Sequence, residues 1–446
     1  MKIRELQLKN IGVFDDEKIK FQPCPKDKAE IHIFTGQNGS GKTTILQALV
    51  CRFDYFAKSN VTLAENCHPL PNKFHKRFRE NSSVLIVSDY FGNGNHLVKT
   101  RLDSNENYLY PVGFQEEQSP SDYWVSSFSK GEPYDNDFSY RFAPFALSGY
   151  RHIEAERIDA LKEPKGFNPL AESLEFVKDY SKDNQITINQ LITNNISKSA
   201  IEKDRNNIRA EKFANVIKSI SQIISEITDW KVEFDLETEP INLLTKINGV
   251  DLDFDVLPDG LSSLISWIAD LLGKVDLLKW DDNLPIFEKN LILLLDEIEV
   301  HLHPAWQRKV LPVVQKLFKN SQIFVSTHSP FVVNSVDDAW VYKLELKSGK
   351  ARVGEIVESE NSNSITQVLR EVFGIEEWFG LEVQNNFERF KELKNKIISN
   401  GADENVEKEL LEKAKILADE PNDQLKQIIR RDLEELSEIK NKPYVL

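Results

Sequence analysis

The sequence predicts an α/β protein built around a central parallel sheet, and three stretches carry that prediction. Alternating apolar residues ending at Ile31 and Ile33 run into the glycine-rich turn GQNGSGKTT (36–44) and then into a helical pattern. The block NLILLLDEIE holds five consecutive aliphatics, Leu291 to Leu295, as a strand buried on both faces requires. SQIFVSTHSP (321–330) has the same character, an apolar run ending in polar residues. In a doubly wound sheet the polar ends of all three would meet at the C-terminal strand edge, where ligands collect.

The bulk composition fits this class. The chain has 446 residues, 40% of them apolar and 28% charged, which suits two or three globular domains. No apolar run of about 18 residues occurs, so no membrane span is expected. The start, MKIRELQLKN, reads as a first strand rather than a signal peptide. Cys24, Cys51 and Cys67 are scattered, with no metal spacing, as expected of free thiols in a cytoplasmic protein. A net charge of −15 argues against a general nucleic-acid coat. A local basic run, Lys73 to Arg79, is read either as a solvated helix face or as a groove for DNA, which stays open as a partner.

Along the chain, residues 1–35 read as strands, 45–58 as a helix, and 83–102 as a hairpin turning at Gly92–Asn95. Residues 103–140, rich in Ser, Asn, Asp, Tyr and Pro, read as a long surface excursion, and RFAPFALSGYR (141–151) as a return to a buried strand. From 166 to 228 the pattern is helical and polar. Strand-like runs follow at 231–236, 241–247 and 250–256, and residues 381–446 are charged and helical, with breaks near Asn400-Gly401 and Pro421-Asn422. The expected organisation is a P-loop half (1–165), a helical insertion (166–228), a second half of the same head (229–380) and a C-terminal helical region (381–446).

The chemistry rests on the three strand ends. GQNGSGKTT fits G-x-x-x-x-G-K-[ST] between a strand and a helix, the context this phosphate-binding motif needs. Gly36, Asn38, Gly39, Ser40 and Gly41 would curl backbone N–H groups around phosphate oxygens, helped by the helix dipole. Lys42 would reach the β- and γ-phosphates, the Thr43 hydroxyl would bind Mg²⁺, and Thr44 completes the motif. Asp296, ending a buried strand, would hold the same Mg²⁺, and Glu297 would polarise the attacking water. His328 is placed to hydrogen-bond the γ-phosphate. His301 and His303 form an H-x-H pair with no further Cys or His cluster nearby, so a metal role is disfavoured there. Trp306 and Trp378 read as core or interface residues.

This ordered set resembles the ABC-type ATPase heads of the RecF and SMC kind. LQLKNIGVFDDEKIKF looks like their opening hairpin, and the resemblance places Asn10 near the phosphates. EIEVHLHP (297–304), Trp306-Gln307, STHSP and LREVFGI (369–375) are similar to the compact bacterial group called predicted ATP-binding proteins involved in virulence, which includes the ATPases of Septu and some retron anti-phage systems. The resemblance covers roughly residues 1–60 and 140–380. It implies a fold of the ABC type, ATP and Mg²⁺ as cofactors, assembly as a homodimer or higher oligomer, and a separate HNH-type, PtuB-like nuclease effector as partner.

The resemblance also sets Leu257-Pro258-Asp259-Gly260-Leu261 at the signature loop, which in such dimers completes the partner's nucleotide site. There Gly260 and its neighbours would offer amides, with Ser262 in the first helical turn. Pro258 stands where relatives carry a serine, and each lost hydrogen bond to a charged phosphate costs about 1.5–3 kcal/mol. An alignment using Leu261-Ser262 as the signature stays open. No glutamine loop is evident, and LSGYRH, with Tyr150 and Arg151, is a candidate equivalent. Three functions follow: a slow regulatory ATPase governing an antiviral effector, an ATP-gated scaffold without turnover, or a DNA-repair ATPase. Residues 381–446 lack the acidic strand ends of a TOPRIM nuclease, so nuclease activity is expected from another chain. Apolar residues at helical spacing make that tail either a cap on the head or a docking surface.

Overall fold

A computed structural model describes residues 2–24, 28–59, 77–89, 97–103, 109–112, 129–130, 139–149, 187–239, 241–374, 379–400 and 403–445. Strands β1 (Ile3–Ile11) and β2 (Phe14–Lys20) form a hairpin that turns at Gly12. β3 (Glu30–Gly36) leads through the glycine turn into α1 (Lys42–Ser59). β4 (Phe78–Asp89), β5 (Leu97–Asp103) and β6 (Leu109–Val112) add to β1, giving an antiparallel sheet of order β2-β1-β4-β5-β6. The expected hairpin at 83–102 is therefore β4–β5, while its turn at 92–95 lies outside the described residues. Two short strands, β7 (Ser129–Lys130) and β8 (Ser139–Tyr140), pair before β9 (Ala143–Leu147), the strand read from RFAPFALSGYR.

Within the expected helical insertion, α2 (Ile188–Glu202) and α3 (Asn207–Thr228) pack against each other. Thr187 and Asn206 cap them through side-chain oxygens that accept first-turn N–H groups. A meander of β10 (Val232–Thr238), β11 (Ile241–Ile247) and β12 (Val250–Asp253) follows, with Asn248-Gly249 both at positive φ in the two-residue turn. Then come α4 (Asp259–Leu277), β13 (Leu291–Leu295), α5 (Pro304–Leu317), β14 (Gln322–Ser326) and the single turn α6 (Pro330–Val333). β15 (Trp340–Lys347) and β16 (Lys350–Glu358) form a hairpin over Ser348-Gly349, and α7 (Ile365–Glu371) closes this part. Sequence periodicity had not flagged β15 and β16.

The central sheet has the order β16-β15-β3-β14-β13-β9, parallel at every pairing except the edge hairpin β15–β16. β13 and β14 are buried along their whole length, because a central parallel strand has no solvent face. Helix α1 packs against β3, β13 and β14 and also touches β1 and β4, so it fills the space between the two sheets with Ile45, Leu46 and Leu49. Helix α4 is apolar nearly all round: Leu261, Leu264, Ile265, Ile268, Leu271, Leu272 and Val275 are all buried. Gly273 makes room for Leu191 of α2, which a Cβ there would meet at 2.3 Å. Truncating Leu264 to Ala would cost about 2–5 kcal/mol.

A buried polar cluster ties β1 to the N-terminal ends of the parallel strands. Gln322 accepts the Ile3 N–H (2.7 Å) and donates to the Ile3 carbonyl (2.9 Å) and to Glu30 Oε1 (2.7 Å). Glu30 also meets Arg4 (2.8 Å) and His32 Nε2 (3.0 Å), and the His32 Nδ1 faces the Tyr342 hydroxyl at 3.2 Å. Burial holds the His32 imidazole below its usual range, so it sits neutral in this cluster.

Contacts divide the chain into two units, Met1–Phe373 and Gly374–Leu446. The second contains α8 (Leu381–Asn400), α9 (Glu404–Asp419) and α10 (Asp423–Lys440). Phe390, Leu393, Ile397, Leu410, Leu417, Leu425, Ile429 and Leu436 form a core of its own. Asp403 and Asn422 cap the second and third helices, at the breaks expected from sequence.

Candidate functional site

The C-terminal ends of β3, β13, β14 and β9 lie side by side in the central sheet, and the site is built there. Around the glycine turn, Gly39 and Gly41 adopt φ of +80° and +96°, conformations that favour glycine. A Cβ on Gly41 would meet the Phe14 ring at 2.5 Å, so the β1–β2 hairpin rests directly on the start of α1. Asn38 and Gly39 are exposed at the tip of the turn.

Lys42 donates to the Gly36 and Gln37 carbonyls at 2.9 and 3.2 Å, closing the turn on itself. Burial lowers its pKa, and the nearby charges of Glu297, Asp296 and Glu299 oppose that shift. Ser40 Oγ is fully buried and has no hydrogen-bond partner among the described residues. An orphaned hydroxyl, a lysine held only by carbonyls and open space around Gly39 suit a bound phosphate chain.

The Thr43 hydroxyl donates to both oxygens of Asp296, at 3.0 and 3.2 Å, although the two residues lie 253 positions apart. Asp296 also accepts from Ser326 Oγ, which in turn accepts the Glu297 N–H at 2.9 Å. Burial pushes the Asp296 carboxyl up, and the Ser326 and Thr43 hydrogen bonds partly offset it. A hydroxyl and a carboxylate in contact at a strand end are the oxygen donors Mg²⁺ uses, with water filling the remaining positions. Mg²⁺ bound there would neutralise phosphate charge.

Glu297 begins a tight turn with φ of +45° and is half-buried. Gly149, after β9, lies against it: a Cβ there would stand 2.8 Å from Glu297 Cβ and 3.2 Å from its Oε2. His328 follows β14 and is half-buried. Burial lowers its pKa first, Lys42 lowers it further, and Asp296 works the other way, so the imidazole is neutral and within electrostatic reach of the turn. A neutral imidazole can donate one hydrogen bond to a phosphate oxygen.

The remaining expected residues are placed as follows. The Asn10 carboxamide donates to the Glu80 and Asn81 carbonyls (3.1 and 3.4 Å), at positive φ where β1 ends. Thr44 is buried and its hydroxyl accepts from the Arg77 guanidinium. Pro258 is the exposed N-cap of α4 and provides no side-chain cap; its carbonyl accepts the Ser262 N–H at 3.0 Å. Gly260 has a steric reason to be glycine, since a Cβ would strike the His301 carbonyl oxygen at 2.6 Å and Trp306 at 3.1 Å. Trp306 meets Trp230 edge-on at 5.1 Å, both half-buried against the core. His303 caps α5, its Nδ1 accepting the Ala305 N–H. Tyr150, Arg151 and Trp378 lie outside the described residues, as does most of the basic run 73–79.

Arg77 is the residue that sequence reasoning missed. Its half-buried guanidinium bonds Thr44 on the first turn of α1 and feels the charge of Asp296, while burial lowers its pKa. The Arg77 carbonyl accepts the Gly12 N–H, so the β1–β2 turn fixes its position. Gly149 was quoted only as part of a candidate loop, with no role.

Among proteins of known name, the chain is 23% identical to the retron Ec83 probable ATPase of Escherichia coli, over 77% of this chain and 72% of that one. It is 20% identical to the Septu protein PtuA of Bacillus thuringiensis, over 84% of this chain and 85% of that one. Of solved structures, an SMC head bound to the C-winged helix domain of ScpA aligns with 15% identity over 81% of this chain and 98% of that one, at a TM-score of 0.47. A general AAA-domain model matches residues 1–55. A second model, described as "AAA domain, putative AbiEii toxin, Type IV TA system", matches residues 31–334, from the strand before the glycine turn to beyond His328. That span is more than half of the chain and takes in the lysine, both acids and the histidine of the site; the chain belongs to this AAA-domain family.

Proposed function

We propose that this P-loop ATPase binds ATP·Mg²⁺, closes as a homodimer or higher oligomer, hydrolyses ATP slowly, and thereby governs a separate nuclease effector in anti-phage defence. The observation that carries the catalytic part is the contact of Thr43 with Asp296 beside Lys42. Lys42 would release the Gly36 and Gln37 carbonyls and turn its ammonium to the β- and γ-phosphates. Thr43 and Asp296 would hold Mg²⁺, Glu297 would orient a water and accept its proton, and His328 would donate to the γ-phosphate.

The slow rate rests on the signature loop. Pro258 is exposed at the start of α4 and has neither hydroxyl nor N–H to offer a partner's γ-phosphate. Gly260 and Ser262 would still present first-turn amides to a second copy. The effector part rests on kinship with retron ATPases and with a Septu protein. The same proline favours one alternative, an ATP-gated scaffold with no meaningful turnover.

One experiment separates the two. Wild type, Glu297→Gln and Pro258→Ser are compared in ATP hydrolysis and in size-exclusion chromatography with and without ATP. Slow turnover in the wild type, ATP-trapped oligomers with Glu297→Gln and faster turnover with Pro258→Ser are expected. Rapid wild-type turnover overturns the regulatory reading, and turnover that survives Glu297→Gln overturns the catalytic assignment. Pull-down of the proteins encoded beside this one, with and without ATP, tests the effector part: capture of a nuclease supports it and its absence overturns it.

A further inference from the structure

The segment after β14 is fastened one residue at a time. Ser326 Oγ joins Asp296 and the Glu297 N–H, the Thr327 N–H donates to Phe34 O of β3 at 3.1 Å, and Ser329 Oγ meets Gln307 Oε1 of α5 at 2.5 Å. The remaining residue, His328, has its backbone N–H donated to Glu299 Oε1. Regular pairing of β13 with β14 ends at Leu295↔Val325, so the sheet itself does not hold residue 328. Glu299 lies two residues past Glu297 in the same turn, and its carboxyl is buried.

Burying a carboxyl to hold the His328 N–H, with the Thr327 hydroxyl beside it, is a costly way to close a turn, since an amide or hydroxyl would do it without charge. The bond fixes the peptide plane that ends in the His328 N, and with it the main-chain position from which the imidazole leaves. We infer that Glu299 is a positioning residue: it holds the His328 main chain so that the imidazole meets the γ-phosphate, and so it contributes to telling ATP from ADP. It touches no nucleotide itself. The inference rests on the phosphate site proposed above.

The test uses the full chain with Mg²⁺ and two probes, mant-ATP and mant-ADP, with thermal melting as the control for folding. A lost charge-assisted hydrogen bond corresponds to about tenfold in binding. Glu299→Ala is therefore expected to lower the ATP-over-ADP affinity ratio about tenfold with ADP affinity held. Glu299→Asp, one methylene too short to reach the N–H, should do the same in a fold that keeps the charge. Glu299→Gln retains an acceptor oxygen and should restore most of the ratio. In a His328→Ala background, Glu299→Asp should have no further effect.

A ratio unchanged by both Ala and Asp overturns the inference, as does a loss with Gln equal to that with Asp, or a further loss on top of His328→Ala. If Glu299→Ala fails to melt cooperatively, the Asp and Gln pair still decides. Failure of the wild type to bind either probe overturns the site reading and this inference together, whereas normal binding that Lys42→Ala abolishes keeps the two apart.

Discussion

Gly149→Ala puts one methyl group against the proposed catalytic glutamate. The new Cβ would stand 2.8 Å from Glu297 Cβ and 3.2 Å from the Asp296 carbonyl oxygen. Carbon atoms in contact settle near 3.5–4.0 Å, so Glu297 must yield by about 0.7 Å or more. It has little freedom to do so, because its backbone is already at φ +45° and its N–H is bonded to Ser326. A displacement of about 1 Å at a catalytic group costs about a hundredfold, or ~2.7 kcal/mol of barrier. The phosphate turn lies on other strands, so mant-ATP affinity should stay within a few-fold while kcat falls. Steady-state hydrolysis, mant-ATP titration and thermal melting on one preparation read all three quantities. Unchanged kcat in a protein that carries the alanine would refute the placement of Glu297 as the group that orients water; equal losses in binding and turnover would refute the separation of the two sites.

Arg77→Ala should weaken MgATP binding about tenfold by mant-ATP titration, because a half-buried guanidinium that bonds Thr44 on the first turn of α1 is lost; unchanged affinity would remove Arg77 from the site. His32 stays neutral in the fold and takes up a proton in the unfolded chain near pH 6.5, so stability is expected to fall as pH drops from about 7 to about 5. Glu30, whose burial is outweighed by the His32 hydrogen bond and then by the Arg4 charge, is held below its usual range and acts in the same direction at lower pH. His32→Gln should flatten the dependence of melting temperature on pH in that window, and an unaltered slope would rule the cluster out as its source. The C-terminal unit, having its own core, should fold when expressed as residues 374–446 and show cooperative loss of helical circular dichroism; a featureless melt would contradict its independence.

The strand ends were legible in the sequence for a physical reason. A strand buried on both faces must be aliphatic throughout, so LILLL and QIFVS announce themselves, and the polar residue that follows marks the sheet edge. The phosphate turn needs glycines at fixed spacing, so it too is visible locally. Arg77 and Gly149 were not legible, because their roles come from neighbours distant in sequence: Arg77 acts on Thr44 across a strand pairing, and Gly149 is constrained by Glu297 on the adjoining strand. Gly260 also packs closely on the His301 carbonyl, an approach that no local pattern encodes. β15 and β16 escaped notice although VYKLELKSGKARV contains alternation and a Ser-Gly turn.

The register of the central sheet has a consequence for synthesis. β3 pairs with β14, Glu30 opposite Gln322, and β9 pairs with β13, Ala143 opposite Leu291. A nascent chain that has released its phosphate turn from the ribosome therefore still lacks β13, which leads into Asp296, and both of its flanking strands, and contacts of such long separation form late. Until β14 and then β15 emerge, β3 has unpaired edges, which is the state most exposed to misassociation. Translation pausing or chaperone capture should accordingly matter most between the emergence of residue 36 and that of residue 344, and a ribosome-bound fragment ending before Leu291 should not retain nucleotide.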